Sequence, residues 1–104
     1  MAEWSVGSGG SSAPLATYTA PAGKVAVLKG LMAKPIVNAS AALLEIHAGG
    51  LGSPESTIAV GYSTGGIIQL NAPDGLIRGG YVSADMTTNF TSTLASVLIW
   101  GDNE

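Results

Sequence analysis

The chain has 104 residues, 46% of them hydrophobic and only 11% charged, with 15 Gly, 5 Pro, no Cys and a formal net charge of −3. That length bounds it to one small domain burying about 64% of its extended-chain surface, and the absent cysteines exclude a disulfide framework, a thiol nucleophile and a Cys-ligated metal. The acidic balance offers no field for a phosphate backbone, so nucleic acid is not an expected partner, while a charged fraction under half of the usual value of about 25% implies an exterior covered by neighbours or kept wet by Ser, Thr, Asn and Gly.

At the N-terminus, Met1-Ala2-Glu3-Trp4-Ser5 has no basic segment leading into an apolar one, so no signal peptide is expected. Residues 1–12 read as an arm ending in a Gly/Ser linker, Gly7-Ser8-Gly9-Gly10-Ser11-Ser12, ahead of a single β-sandwich domain over 13–104. Trp4 on such an arm must dock, because exposing so large a ring forgoes its burial. It can do so as a short edge strand, 4–6, on its own domain or on a neighbouring subunit. Further on, runs rich in Val, Ile, Leu, Thr and Tyr recur about every ten residues between Gly, Pro, Asn and Asp, the rhythm of an all-β domain. The predicted strands are 15–19, 24–33, 41–48, 57–62, 66–70, 79–85 and 94–100, with 4–6 as an eighth. In 41–48, Ala42, Leu44, Ile46 and Ala48 alternate with Leu43, Glu45 and His47, which assigns the first set to the core. A short helix over 39–47, capped by Asn38 or Ser40, is the alternative. Residues 49–54 and 72–75 carry turn chemistry, and Gly65-Gly66 reads as a tight hairpin turn. The last strand is apolar on both faces, Leu98 and Trp100 on one and Val97 and Ile99 on the other. It therefore lies centrally in the domain or at a subunit contact. The candidate interface residues are Trp4, Val6, Leu98 and Trp100. No apolar run approaches the roughly 20 residues of a membrane helix, so no membrane association is expected.

Few constellations suggest chemistry. Gly61-Tyr62-Ser63-Thr64-Gly65 spells a nucleophile-elbow pattern, but a β-like run follows instead of a helix and the sole histidine precedes the serine, so the pentapeptide reads as a hairpin. His47 excludes a multi-histidine zinc site, and with Glu45 on its strand face it reads as a solvated pair. Asp74, Asp85 and Asp102 are dispersed without calcium-loop spacing and suit bonds to backbone N–H groups. No glycine tract has phosphate-loop spacing, and Asn38-Ala39-Ser40 and Asn89-Phe90-Thr91 match the glycosylation pattern without a secretion signal. Tyr62, Tyr81, Asn71 and Asp85 would suit a glycan if they converged. No catalytic residue, metal ligand or cofactor is expected.

The segment from Tyr18 to Leu31, Tyr-Thr-Ala-Pro-Ala-Gly-Lys-Val-Ala-Val-Leu-Lys-Gly-Leu, resembles the Tyr-x-x-Pro-Ala-Gly-Lys opening of many small virion proteins of tailed bacteriophages, which decorate heads or belong to tails and fibres. Physically it is a strand, a Pro-x-Gly turn and a longer strand. The resemblance implies an architectural, non-enzymatic role and transfers no catalytic or metal residue. The expectation is an all-β, two-sheet antiparallel sandwich of about 7–8 strands, jelly-roll-like by its strand count, acting in the virion as a capsid decoration or cement protein. Its expected partners are the major capsid protein or other virion subunits and further copies of itself, as a trimer or dimer. A tail, baseplate or head-fibre module and a small carbohydrate-binding module are the alternatives.

Overall fold

A computed structural model describes residues 3–10, 15–35, 42–50, 52–63, 66–88, 91–92 and 95–104. The described strands are β1 (Trp4–Gly10), β2 (Ala16–Thr19), β3 (Ala26–Pro35), β4 (Ala42–Gly50), β5 (Ser53–Ser63), β6 (Ile68–Asn71), β7 (Ile77–Gly79), β8 (Tyr81–Thr88), β9 (Thr91–Ser92) and β10 (Ala95–Asn103). They form two five-stranded antiparallel sheets. Sheet A runs β1-β10-β3-β6 with β7 added beside β3, and sheet B runs β2-β8-β4-β5 with β9 added beside β8. Leaving aside the short β7 and β9, the pairings β1–β10, β2–β8, β3–β6 and β4–β5 are nested one inside the next. A long hairpin folded over on itself gives this nesting, which is the wrapping of a jelly roll. The expected two-sheet antiparallel sandwich is therefore the observed architecture.

Alternation of side chains decides what lies between the sheets. Along β4, Ala42, Leu44, Ile46 and Ala48 are buried while Leu43, Glu45 and His47 are only half-buried. Along β10, Ala95, Val97 and Ile99 are buried while Ser96 and Leu98 are exposed. With Leu28, Leu31, Val82 and Met86 these side chains fill one core. Strand β3 poses a conflict, since in a regular strand Lys29 would share the inward face of Leu31 and Ala33. The ladder resolves it with a bulge: Gly30 pairs with Trp100 and Leu28 with Gly101, leaving Lys29 unmatched. Leu28 and Ala26 then take the inward positions.

Three segments differ from the sequence expectation, each for a physical reason, and a fourth takes the first of its two readings. Gly7 to Gly10, expected as a linker, belong to β1, because a ladder to residues 95–98 of β10 pairs the main-chain groups on one side of the segment whatever its side chains. Residues 42–50 are strand and not helix, since β4 pairs on both sides, with β5 and β8. The segment 49–54 is no long loop, because β4 runs to Gly50 and β5 starts at Ser53, with Gly50 and Gly52 at positive φ in the turn. The elbow-like pentapeptide is not a hairpin. Strand β5 belongs to sheet B and β6 to sheet A, so the chain changes sheets there; Thr64 and Gly65, half of the expected tight turn, lie outside the described residues, as do Asn38, Ala39 and Ser40.

Trp4 docks on its own domain. Its side chain is 7% exposed, its ring stacks on Tyr18 at a centroid distance of 4.1 Å, and its Nε1–H donates to the Asp102 carbonyl oxygen at 3.0 Å. Replacing a buried tryptophan with Ala typically costs about 3–5 kcal/mol. Trp4→Ala is therefore expected to lower the unfolding free energy, read from urea titrations, by an amount in that range, whereas a loosely attached arm would leave it unchanged.

Candidate docking faces

The two sheets present very different outer surfaces. On sheet A, the residues of β10 that point away from the core are Ser96, Leu98 and Trp100. Register places Leu98 between Gly7 and Met32, and Trp100 between Ser5 and Gly30. The Trp100 ring lies across Gly30, where a Cβ atom would overlap it, so glycine is what lets the ring lie flat on the sheet. Leu98 is 38% exposed and Ile67, just before β6, is 62% exposed. Met32, Lys34, Ile67, Ser96 and Leu98 line an open groove of about 400 Å³ over Ala33 and Val97. Lys34 is the one charged side chain among these lining residues. The face is suited to burying apolar surface.

The outer surface of sheet B carries a polar network. Tyr81 lies across Gly49, where a Cβ atom would collide with its phenol, and reaches β5 to donate its hydroxyl hydrogen to the Glu55 carboxylate. His47 Nδ1 lies 2.8 Å from Thr57 Oγ1 and 3.6 Å from the Glu55 carboxylate. The network brackets β8, β4 and β5. Hydrogen bonding to Glu55 holds the Tyr81 phenol in its neutral form and raises its pKa above the ordinary value. Glu45 sits opposite Asp85 on β8, and the buried Asp85 accepts the Met86 N–H at 2.9 Å.

A third cluster closes one end of sheet A. Lys29 Nζ lies 2.6 Å from Asp102 Oδ2, and Asp102 Oδ1 accepts the Glu3 N–H at 3.2 Å. The hydrogen bond between them raises the Lys29 pKa and lowers that of Asp102. Beside it, Tyr18 donates its hydroxyl hydrogen to Asn103 Oδ1 at 2.9 Å.

The four candidate interface residues divide between the two sides of sheet A. Trp4 is buried and Val6 packs against the core, whereas Leu98 and Trp100 lie on the outer face. Met32 and Ile67 join them there; alternation in their own strands hints at their outward direction, but only the β3–β10 and β3–β6 registers bring them beside Leu98. His47 finds Thr57 and Glu55 in place of Glu45. Ser63 pairs with Ala42, five residues along β4 from His47, so roughly 17 Å of strand separates the two backbones. The glycan set does not converge, since Asn71 belongs to sheet A and Tyr62, Tyr81 and Asp85 to sheet B. Among the described residues, no group of three or more His, Asp or Glu side chains is placed to hold a metal ion.

Comparison with protein-family models, curated proteins and solved structures gave no match.

The Lys29–Asp102 pair generates a pH dependence. Because the folded-state pKa of Asp102 is depressed, its contribution to stability is present above its unfolded value near 4 and lost as pH falls through the folded value. The Lys29 contribution, with its folded pKa raised, is lost only as pH rises above about 10. Thermal melts across the acid range are expected to show a shallower loss of Tm below about pH 4 for Asp102→Asn than for the native chain; identical slopes would show that the pair adds nothing to stability.

Proposed function

We propose that the protein is a non-enzymatic bacteriophage capsid decoration, or cement, protein that seats the outer face of sheet A on the shell and stabilises it by bridging capsid subunits. The observation that carries this reading is the asymmetry of the two outer faces: Trp100, Leu98, Met32 and Ile67 with the one charged Lys34 on one, against Glu45, Glu55, His47 and Tyr81 on the other. Interface centres are depleted in charged residues and enriched in aromatic residues and Met. A desolvated, unpaired charge there would weaken attachment. The groove beside Leu98 suits a projecting apolar side chain of the shell, and the polar face of sheet B is left toward water. Many copies on symmetry-related sites add their contacts, so loosening the shell must break all of them together. Jelly-roll wrapping occurs in viral capsid proteins and in lectins alike, so the reading rests on the face and not on the fold.

Burying a leucine side chain is worth about 1.5–3 kcal/mol, and about 1.4 kcal/mol is a tenfold change in affinity. In co-sedimentation with shells of the capsid protein of the same phage, the native chain is expected to bind, Leu98→Asp to bind at least about tenfold more weakly, and His47→Ala on the opposite face to bind as the native chain does. Equal binding by Leu98→Asp would assign docking to another surface. Absence of binding by the native chain would end the decoration reading, and a low copy number confined to the tail in purified particles would move the protein there.

A further inference from the structure

A sandwich has exposed edges as well as faces, and here the edges are unequal. Sheet A ends in β1 and β6, and sheet B in β2 and β5. Strands β2 and β6 have four residues each, and β1, with seven, is composed largely of Gly and Ser. Short edges resist pairing with another chain, and glycine-rich ones hold a register poorly. Strand β5 is different. It has 11 residues, pairs only with β4 among the described residues, and is exposed throughout residues 54–59. Its protective features, Pro54 and Glu55 near one end and the bulge that leaves Val60 unmatched two residues past Ile58, flank a central stretch. Between them Ser56, Thr57, Ile58 and Ala59 carry no charge and no proline.

We infer that β5 is a self-pairing edge, through which two copies of this chain join antiparallel about a two-fold axis at Ile58. The midpoint of Ser53–Ser63 is Ile58, so an axis there pairs the strand with its copy over its full length without overhang. Among the described side chains of the strand, Ile58 is also the large hydrophobic one that is exposed, at 43%. It lies on the face shared with core residue Ile46, beyond the cover of sheet A, and the axis sets it against its own copy. The same register carries each Glu55 to the neighbourhood of Val60 and Gly61 and keeps the two carboxylates roughly 20 Å apart along the strand. No like charges meet. An antiparallel ladder of this length offers roughly ten main-chain hydrogen bonds, fewer by those that Pro54 and the bulge withhold, which is within the usual range for a stable interface. The bracket of Tyr81, Glu55, His47 and Thr57 already fixes β5 to β4 and β8, so little ordering is left for the pairing to supply.

This inference is independent of the shell reading and is tested without any shell. Sedimentation velocity over a wide concentration range is expected to show a reversible dimer for the native chain and a monomer for Ile58→Lys, with unchanged far-UV circular dichroism, since the side chain is already half out of the fold. Leu98→Asp is expected to remain dimeric. Because the native chain has no cysteine, Ile58→Cys should form a disulfide-linked dimer on mild oxidation, its two Cβ atoms lying about 4.5–5.5 Å apart. Ser56→Cys should not, with its thiols about 13 Å apart along the strand. A native chain that stays monomeric, a dimer that survives Ile58→Lys or is lost in Leu98→Asp, or equal cross-linking of the two cysteine variants would overturn the inference.

Discussion

Sheet A is organised around the placement of one ammonium group. Lys29 stands in a run, Ala26 to Ala33, whose unbroken alternation would direct it between the sheets, where an unpaired charge costs several kcal/mol. The bulge between the Gly30–Trp100 and Leu28–Gly101 pairs changes the phase of β3. Lys29 is thereby turned to Asp102 at 2.6 Å. That contact fixes the end of β10, and the same residue accepts the Glu3 N–H through its carboxylate and the Trp4 Nε1–H through its carbonyl. One charge pair thus joins the middle of the chain to both of its ends. The arm becomes the outer strand of sheet A because the groups that receive it are already held.

The bulge also has consequences for the outer surface. Beyond it, β3 presents Gly30 and Met32 outward, directly across from Trp100 and Leu98. The glycine permits the indole to lie flat, and the methionine extends the apolar surface toward Ile67. Sheet B repeats the device with different chemistry, Tyr81 lying over Gly49 to reach Glu55. In both cases an aromatic ring covers a cross-strand glycine that would otherwise expose backbone. The difference is at the tip of the ring: the phenol ends in a hydrogen bond and a polar network, while the indole continues into an apolar stripe. Two outer faces built by the same rule therefore present opposite surfaces to their surroundings.

Most of this fold was legible in the sequence, because period-two alternation is a local property. The core set of β4, from Ala42 to Ala48, and the inward Val97 and Ile99 of β10 could be read directly. The segment Gly7 to Gly10 could not, since nothing local distinguishes a glycine-rich linker from a glycine-rich edge strand; β10 makes the distinction. The bulge at Lys29 went unread, because the phase of β3 is set by its pairing with β10. The sheet change after β5 was hidden because a Gly-rich turn looks alike whether its strands pair or part. Of the apolar outer face of sheet A, Leu98 and Trp100 could be singled out from the two-faced apolarity of their strand, whereas Met32 and Ile67 required the registers of β3 with β10 and β6. Trp4 and Val6 were drawn into the interface set by their place on an apparent arm, and pairing of β1 with β10 turns them inward instead.

Faces and edges of a sandwich point in perpendicular directions, and this governs how the proposed contacts combine. The outer face of sheet A looks along the normal of the sheets, whereas β5 looks sideways from sheet B, about 10 Å farther along that normal. A contact on one therefore does not obstruct a contact on the other. A copy seated through Trp100 and Leu98 would still have its β5 edge free, raised above the supporting surface and directed toward a neighbour. Scarcity of charge suits both surfaces for the same reason, since each contact is made by desolvating the residues that meet. Internal ties take up several of the ionised side chains, Lys29 with Asp102 in sheet A and Glu55 with Tyr81 in sheet B, so the stripe of sheet A meets a neighbour with one charge at its groove, Lys34, and the middle of β5 with none.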